Sequence, residues 1–177
     1  MAKHESVDFY IEKLGKQHDR NSFTCGVAIL DRYLQQQASQ DLRNYVAAVF
    51  VAVNNSVLNS SGQKQIIGFY SVSSTSVDAR DFPLEITKKL PKYPILPATL
   101  IGRLAIATQY QKKGWGRLLL YAALQLALAN EVASMAVIVD AKDERAVFFY
   151  GQYGFLAFPD QPYRLYLPMK TIARMLS

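Results

Sequence analysis

The sequence predicts a single mixed α/β domain. The chain has 177 residues, half of them hydrophobic and 19% charged. At that size folding removes roughly 70% of the unfolded chain's surface from water, enough for one real core. No internal repeat and no Gly/Ser linker divides it. Its apolar periods run helix, hairpin, then strand, loop, helix, strand, helix, strand, which is a mixed α/β order.

Each element follows from its local pattern. Residues 7–11 (VDFYI) read as a first strand. From Phe23 to Leu42 the apolar positions Ile29, Leu30, Tyr33, Leu34, Ala38 and Leu42 fall near a 3.6 period, predicting a helix. Tyr45 to Val53 is an apolar, β-branched strand, and the polar stretch NNSVLNSSGQKQ separates it from Ile66 to Ser73, making a hairpin. Asp81 to Leu90 reads as a short helix before an irregular crossing forced by Pro91, Pro94 and Pro97. Ala98 to Ile106 is a strand, with Gly102 inside it marking a bulge or a close backbone approach. Arg117 to Asn130 is a helix apolar on most sides, expected to be covered on most of them. Ser134 to Asp140 is a buried strand, Glu144 to Tyr153 a short helix, and 155–158 and 164–167 are closing strands. The terminal PMKTIARMLS reads as a short amphipathic helix, either an interface contact or a terminal packing element.

Composition narrows the function classes. A chain this apolar is not intrinsically disordered. No run reaches the roughly 18 apolar residues of a membrane span, and MAKHESVDFYIEKL has no apolar signal core. A cytoplasmic protein with no membrane partner is expected. A single cysteine, Cys25, can form no internal disulfide and builds no zinc site, so no metal is expected; it reads as a small buried residue. Twenty basic against fourteen acidic residues give +6 at pH 7. That charge fits an anionic partner, nucleic acid or phosphorylated cofactor, and equally a merely basic soluble protein. No block of five like charges exists, so a basic surface has to be assembled by the fold.

The sharpest local feature is Gln111-Lys112-Lys113-Gly114-Trp115-Gly116 between a strand and a helix. Its glycines let the backbone turn and admit a ligand close to the N–H groups. The helix that follows presents unpaired N–H donors and its positive end, a setting for phosphate. Lys112, Lys113 and Arg117 add the right charge. A Walker loop is excluded because Arg117-Leu118 stand where Lys-Ser/Thr belongs, and a dinucleotide fingerprint because position 119 is leucine. Taken alone, the two glycines also fit a plain strand-to-helix turn. Trp115 either stacks on a ligand or covers the start of the helix.

In its order of elements, with Q-x-x-G-x-G at Gln111, Gly114 and Gly116 and the later segment Asp143–Phe155, the chain resembles the GNAT superfamily of N-acetyltransferases. The resemblance implies the GNAT fold: one domain over 1–177 with a central, mostly antiparallel twisted sheet flanked by helices. It also implies acetyl-CoA as cosubstrate. The 111–117 loop, Gln111 through Arg117, would hold the pyrophosphate, and the strand Leu104-Ala105-Ile106 would pair with the pantetheine arm. Many relatives carry asparagine where Asp143 stands; an aspartate accepts but does not donate, so Asp143 is left out of the cofactor set.

Phe23-Thr-Cys-Gly26, Leu30-Asp31, Tyr33-Leu34, Ile67–Ser71, Ile101–Ala105, Val139–Ala141 and Arg164–Met169 are similar, in order, to GNAT toxins of type II toxin–antitoxin systems. That narrower resemblance spans about residues 5 to 170. It implies acetylation of the amino acid on aminoacyl-tRNA, which blocks translation, a ribbon-helix-helix antitoxin as partner, and a homodimer. It places the catalytic tyrosine at Tyr150. With ordinary values near 10 for the phenol and 8.5 for a thiol, full proton transfer to a thiolate is uphill by about 2 kcal/mol, so a strengthening hydrogen bond is the safer role. Without the resemblance, Tyr150 reads as one packed aromatic beside Phe148, Phe149 and Tyr153.

No general base stands out. His4 and His18 read as surface residues, and an α-amine with a pKa near 8 is partly neutral without help. Backbone N–H groups of 104–106 are the candidate oxyanion donors. Two other readings compete with the toxin: a GNAT enzyme acting on a small amine or a protein amine, and a degenerate GNAT fold that binds without turnover.

Overall fold

The computed structural model describes residues 6–177; the expectation for His4 lies outside them. Eight strands follow the order β1-β3-β4-β5-β6-β8-β7, with β2 beside β4. They are β1 (Phe9–Lys13), β2 (His18–Asp19), β3 (Ala48–Leu58), β4 (Lys64–Asp78), β5 (Ile95–Ile106), β6 (Ala136–Asp140), β7 (Leu156–Phe158) and β8 (Gln161–Pro168). Pairing is antiparallel for β1/β3, β6/β8 and β7/β8, and parallel for β2/β4 and β5/β6. Helices α1 (Ala28–Arg32), α2 (Ala38–Arg43), α3 (Leu84–Thr87), α4 (Trp115–Ala129), α5 (Glu144–Gly151) and α6 (Met169–Leu176) complete the mixed α/β set. Among the described residues no helix is long and apolar enough to cross a membrane.

The chain forms two compact units, with β4, β5 and α4 running through both. The first comprises the described residues up to Ser71 together with Arg103–Tyr121. Its core gathers Phe23, Tyr33, Leu34, Val49, Val51 and Phe69. Phe69 carries two rings, Phe23 edge-on at 5.5 Å and Tyr33 stacked at 6.1 Å. The predicted first helix begins later, at Ala28, and is broken by a π-helical segment, Tyr33–Gln37, before α2 resumes. That extra residue per turn puts Tyr33, Leu34 and Ala38 inside, while Ile29, read as core-facing, is 71% exposed. The helix stops at Tyr45, whose φ of +57° occupies the left-handed position that usually ends a helix at glycine. β3 therefore starts at Ala48 and not at Tyr45. Both hairpin strands outrun their apolar runs, leaving a tight connection held by Asn59, whose Oδ1 accepts from the N–H groups of Ser61 and Gln63 at 2.9 Å each.

His18 is a correction. It is 1% exposed and not a surface residue. Its Nδ1 accepts from the Gly15 N–H at 2.9 Å, so the proton sits on Nε2, which donates to Glu12 Oε1 at 2.6 Å. The His18 and Lys64 partners hold the Glu12 carboxyl below its usual value against the opposing effect of desolvation.

The second unit comprises Val72–Gly102 and Ala122–Ser177. Phe82, Phe158 and Tyr166 form a mutual ring cluster, with centroids 5.0–5.2 Å apart, over Val77, Leu96, Ala136 and Ile138. The expected 81–90 helix shrinks to Leu84–Thr87 after a 3-10 turn at Ala79–Asp81. β5 starts upstream of the expected Ala98 and passes through Pro97, whose carbonyl accepts from the Met135 N–H at 2.9 Å. The terminal helix α6 buries Ile172 completely, which favours the packing reading of that segment.

Helix α4 buries Leu119, Leu120, Ala123, Leu124 and Ala127. Leu126 and Leu128 stay over a third exposed, so it is covered on one face rather than on most sides. In the first unit Gly68 sets the spacing: a Cβ there would meet Ala105 O at 2.7 Å, Ile106 Cδ1 at 2.7 Å and Leu119 Cδ1 at 2.8 Å. Gly68→Ala is expected to destabilise the protein by about 1–3 kcal/mol through overpacking, lowering Tm by several degrees in calorimetry.

Candidate active site

The loop predicted to bind phosphate lies between two built elements. β5 ends at Ile106, a 3-10 turn covers Thr108–Tyr110, and α4 begins at Trp115, two residues before the expected start. Lys112 (φ +59°) and Gly114 (φ +88°) both take left-handed backbone angles. Alternation of left- and right-handed residues turns successive N–H groups towards one side, an anion-binding nest. An added Cβ at Gly114 would meet nothing within 4 Å, so the space above the turn is open. The first helical N–H bonded back along the chain is that of Leu118, to Gly114 O at 3.2 Å. The N–H groups of Trp115, Gly116 and Arg117 are the orphan donors every helix start carries. Lys112, Lys113 and Arg117 are exposed around them, and the Arg117 guanidinium lies 5.4 Å from the Tyr121 ring.

Gln111 also has a structural part. Its side-chain amide donates to Cys25 O at 2.8 Å and to Ile106 O at 2.9 Å. Both N–H donors are thereby committed to fixing the loop against the end of β5 and the Phe23–Gly26 segment. Trp115 also reads as packing: its ring meets Phe9 at 4.8 Å and Tyr110 at 6.1 Å, both edge-on. Tyr110, which the sequence reading missed, donates from its hydroxyl to Gln65 Oε1 at 2.6 Å and accepts from Asn54 Nδ2 at 3.0 Å. Cys25 is buried, as expected.

Parallel pairing of β5 with β6 covers Thr99–Ile101 against Val137–Val139. β5 then continues to Ile106, so Leu104, Ala105 and Ile106 lie beyond that register. Such a strand end offers main-chain groups that an extended amide-bearing arm can pair with.

In the second unit, Tyr150 sits near the end of α5. Asp143 caps that helix, its Oδ1 accepting from the Ala146 N–H at 2.8 Å, which gives the aspartate a structural task consistent with its acceptor-only chemistry. Gly154 (φ +92°) turns the chain back into β7. The Tyr150 ring is held edge-on by Phe149 at 5.1 Å and Phe155 at 5.4 Å. It is 9% exposed, and among the described residues its hydroxyl has no hydrogen-bond partner, yet it is not among the sealed polar atoms. Burial pushes the phenol up to about 12, so it is a protonated donor across the physiological range. Phe148, read with Tyr150 as a packed aromatic, is 70% exposed.

Residues 95–169 match the family described as an acetyltransferase (GNAT) domain. A tRNA-acetylating toxin of Mycobacterium tuberculosis is 30% identical over 169 residues, spanning 93% of this chain and 94% of that one. The chain belongs to the GNAT acetyltransferase family. A probable toxin TacT of Sinorhizobium fredii is 27% identical over 186 residues, 99% of both chains. Among solved structures, AtaT complexed with acetyl-methionyl-tRNAfMet has a TM-score of 0.84 at 25% identity, covering 96% of this chain and 100% of that one. AtaTR bound with AcCoA has a TM-score of 0.80 at 26% identity, covering 96% and 99%.

The nest, the free helix start and the cationic rim fit a pyrophosphate, so this acetyltransferase uses acetyl-CoA as cosubstrate. The loop's order depends on the Gln111 amide. Gln111→Ala is expected to cost about 1–2 kcal/mol for its two lost hydrogen bonds. Gln111→Glu is expected to cost more, because it sets a carboxylate against two carbonyl oxygens. Denaturant melts of the two variants with the native protein test this ranking, and equal stability of all three would refute the strut.

Proposed function

We propose that this enzyme is the toxin of a toxin–antitoxin pair, transferring acetyl from acetyl-CoA to the α-amino group of aminoacyl-tRNA and so blocking translation. The observation that carries this reading is the likeness, along nearly its whole length, to a protein named a tRNA-acetylating toxin. AtaT seen with acetyl-methionyl-tRNAfMet supports it. AtaT has also been seen with the C-terminus of an antitoxin, AtaR. For this chain we propose a ribbon-helix-helix antitoxin, a homodimer as the working form, a cytoplasmic address and a single GNAT domain over residues 1–177.

Acetyl-CoA supplies an acetyl group already activated as a thioester. The N–H groups of the 112–117 turn hold its pyrophosphate, with Lys112, Lys113 and Arg117 balancing the charge, while Gln111 keeps the turn in shape. The main chain of Leu104, Ala105 and Ile106 pairs with the pantetheine arm, and an N–H of that strand polarises the acetyl carbonyl. Tyr150 donates a hydrogen bond to the departing sulfur. A phenol at about 12 is a much weaker acid than a thiol near 8.5, so full proton transfer is uphill by about 5 kcal/mol. The hydroxyl works as a donor whose bond strengthens as negative charge develops, and the proton stays on oxygen. The acceptor amine enters in its neutral form, which water provides at a pKa near 8.

The function is tested by incubating the protein with labelled acetyl-CoA and total tRNA, charged or deacylated. Label on charged tRNA alone, released by mild alkali, is the expected outcome. Label in neither tube, with acetyl-CoA still bound, would replace this reading by a small-amine or protein acetyltransferase.

Tyr150→Phe keeps the ring and removes the donor. Its kcat is expected to fall by about 100-fold or more, within the range of a lost transition-state donor, with Tm nearly unchanged. Unaltered turnover would remove Tyr150 from the mechanism. The pH profile has a definite sign as well. Raising the phenol's pKa moves loss of the donor to higher pH, so kcat/KM rises as the amine deprotonates and shows no falling limb below about pH 10. A descending limb centred near pH 9 in initial rates would show that the phenol is not so raised.

A further inference from the structure

One cation in the first unit is built into place without an acceptor. Arg103 lies in β5, directly before Leu104–Ile106, and is half-buried. Its guanidinium carbon sits 3.6 Å from the centre of the Tyr33 ring. Tyr33 is itself fixed. Its ring stacks on the fully buried Phe69, and its hydroxyl donates to Asp41 Oδ2 at 2.9 Å. Asp41 Oδ1 is taken by Gln37 Nε2 at 2.9 Å. The π-helical segment Tyr33–Gln37 supplies both Tyr33 and Gln37, and such segments are frequent at functional sites. Among the described residues, no carbonyl or carboxylate accepts from the Arg103 guanidinium and no ion pair includes it.

A half-buried guanidinium has given up part of its hydration, and stacking returns only part of that cost. Its five N–H donors form a planar fork that fits phosphate or carboxylate with two parallel bonds. Stacking fixes the plane of the fork before any ligand arrives. Arg103 stands one to three residues from 104–106, roughly 3–10 Å along the strand. An anion held there belongs to the acceptor, close to the amine that reacts. In an aminoacyl-tRNA the nearest anion to that amine is a backbone phosphate of the single-stranded acceptor end, one nucleoside away. Asp41 is the one carboxylate bonded to Tyr33, and both its oxygens are already engaged, so it does not claim the fork.

We propose that Arg103, aligned on Tyr33, is the residue that grips a phosphate of the tRNA acceptor end and so positions the aminoacyl group at β5. This rests on the aminoacyl-tRNA reading above. Arg103 is a positioning residue for the known type of reaction: it touches the carrier of the amine.

The test compares the full-length native protein with Arg103→Gln and Arg103→Lys on charged tRNA over a range of KCl, and on an aminoacyl-adenosine that has no phosphate. Thermal melts check that each variant is folded. Arg103→Gln is expected to raise KM for charged tRNA about tenfold, with a smaller effect on kcat. The slope of log kcat/KM against log salt should become shallower by about 0.7, the loss of one single-strand phosphate contact. Arg103→Lys should restore the slope but not the full affinity, because an ammonium cannot fork. The penalty on aminoacyl-adenosine should be much smaller than on tRNA. An unchanged salt slope in Arg103→Gln, or an equal loss on both acceptors, overturns the proposal. So does a variant that acetylates tRNA normally but escapes its antitoxin, which would assign the fork to a protein carboxylate. Failure of the native protein to label charged tRNA brings down the parent reading and this one together, and is told apart because no variant is involved.

Discussion

The side-chain amide of Gln111 holds the 111–117 loop in order. Its two N–H groups close on two carbonyls from separate stretches of chain, Cys25 and Ile106. Ile106 O is at the end of β5, where the next N–H, that of Ala107, has turned to Ile67 O at 2.8 Å. Each bond contributes only about 1 kcal/mol net. Their larger effect is on entropy, because a loop that is already in shape loses little freedom when an anion binds. The Phe23–Gly26 stretch, prominent in the likeness to toxins, becomes intelligible as the other half of this clamp. Asp31 Oδ1 accepts from the Cys25 N–H at 2.8 Å, Thr24 O accepts from the Thr108 N–H at 2.9 Å, and Gln35 Nε2 donates to Phe23 O at 3.1 Å. Those residues support a loop more than eighty positions further along the chain.

Burial governs the proposed catalytic residue, Tyr150, in the same way. Surrounded by Phe149 and Phe155, the Tyr150 phenol is neutral and stiff. A stiff, neutral donor needs no reorganisation as charge builds on sulfur, which is what makes such a group effective in a poorly hydrated setting. The same desolvation makes it a poor acid. The environment therefore selects hydrogen bonding over proton transfer, where reference pKa values alone left the two only about 2 kcal/mol apart.

Much of this was legible in the sequence where one local rule dominates. The glycine loop, the apolar helix after it, the β6 strand and the short capped helix carrying Tyr150 all lie close to where periodicity and turn residues put them. The misses occur where tertiary contacts overrule local pattern. A smooth 3.6 period over 29–42 gave no sign of the π-helical insertion, which shows only in the exposure of Ile29 and the stacking of Tyr33. Residues 54–58 extend β3 although Asn54, Asn55 and Ser56 interrupt the apolar run, because the buried Asn54 finds a partner in the Tyr110 hydroxyl and Ser56–Leu58 run on into an exposed strand end. His18 and Glu12 are six residues apart, and nothing in that spacing announces a buried pair. Gln111 was found as part of a motif, but its bonds to Cys25 O and Ile106 O were not foreseen, because a motif records which residue is needed and not which bonds need it.

The buried His18 also bears on the question of a general base. With Nδ1 occupied by the Gly15 N–H and its proton shared with Glu12, the imidazole has no lone pair to offer a substrate. Tyr150 is too weak an acid to be the phenolate that a base role would require. An α-amine close to its own pKa near neutrality needs neither, since a useful fraction is already unprotonated. A more basic amine, such as a lysine side chain near 10.4, would be neutral in only about one molecule in 2,500 at pH 7. Transfer that uses no base would discriminate among amines by their acidity before shape is considered. That selection favours an α-amino group over a lysine, which agrees with the proposed aminoacyl acceptor.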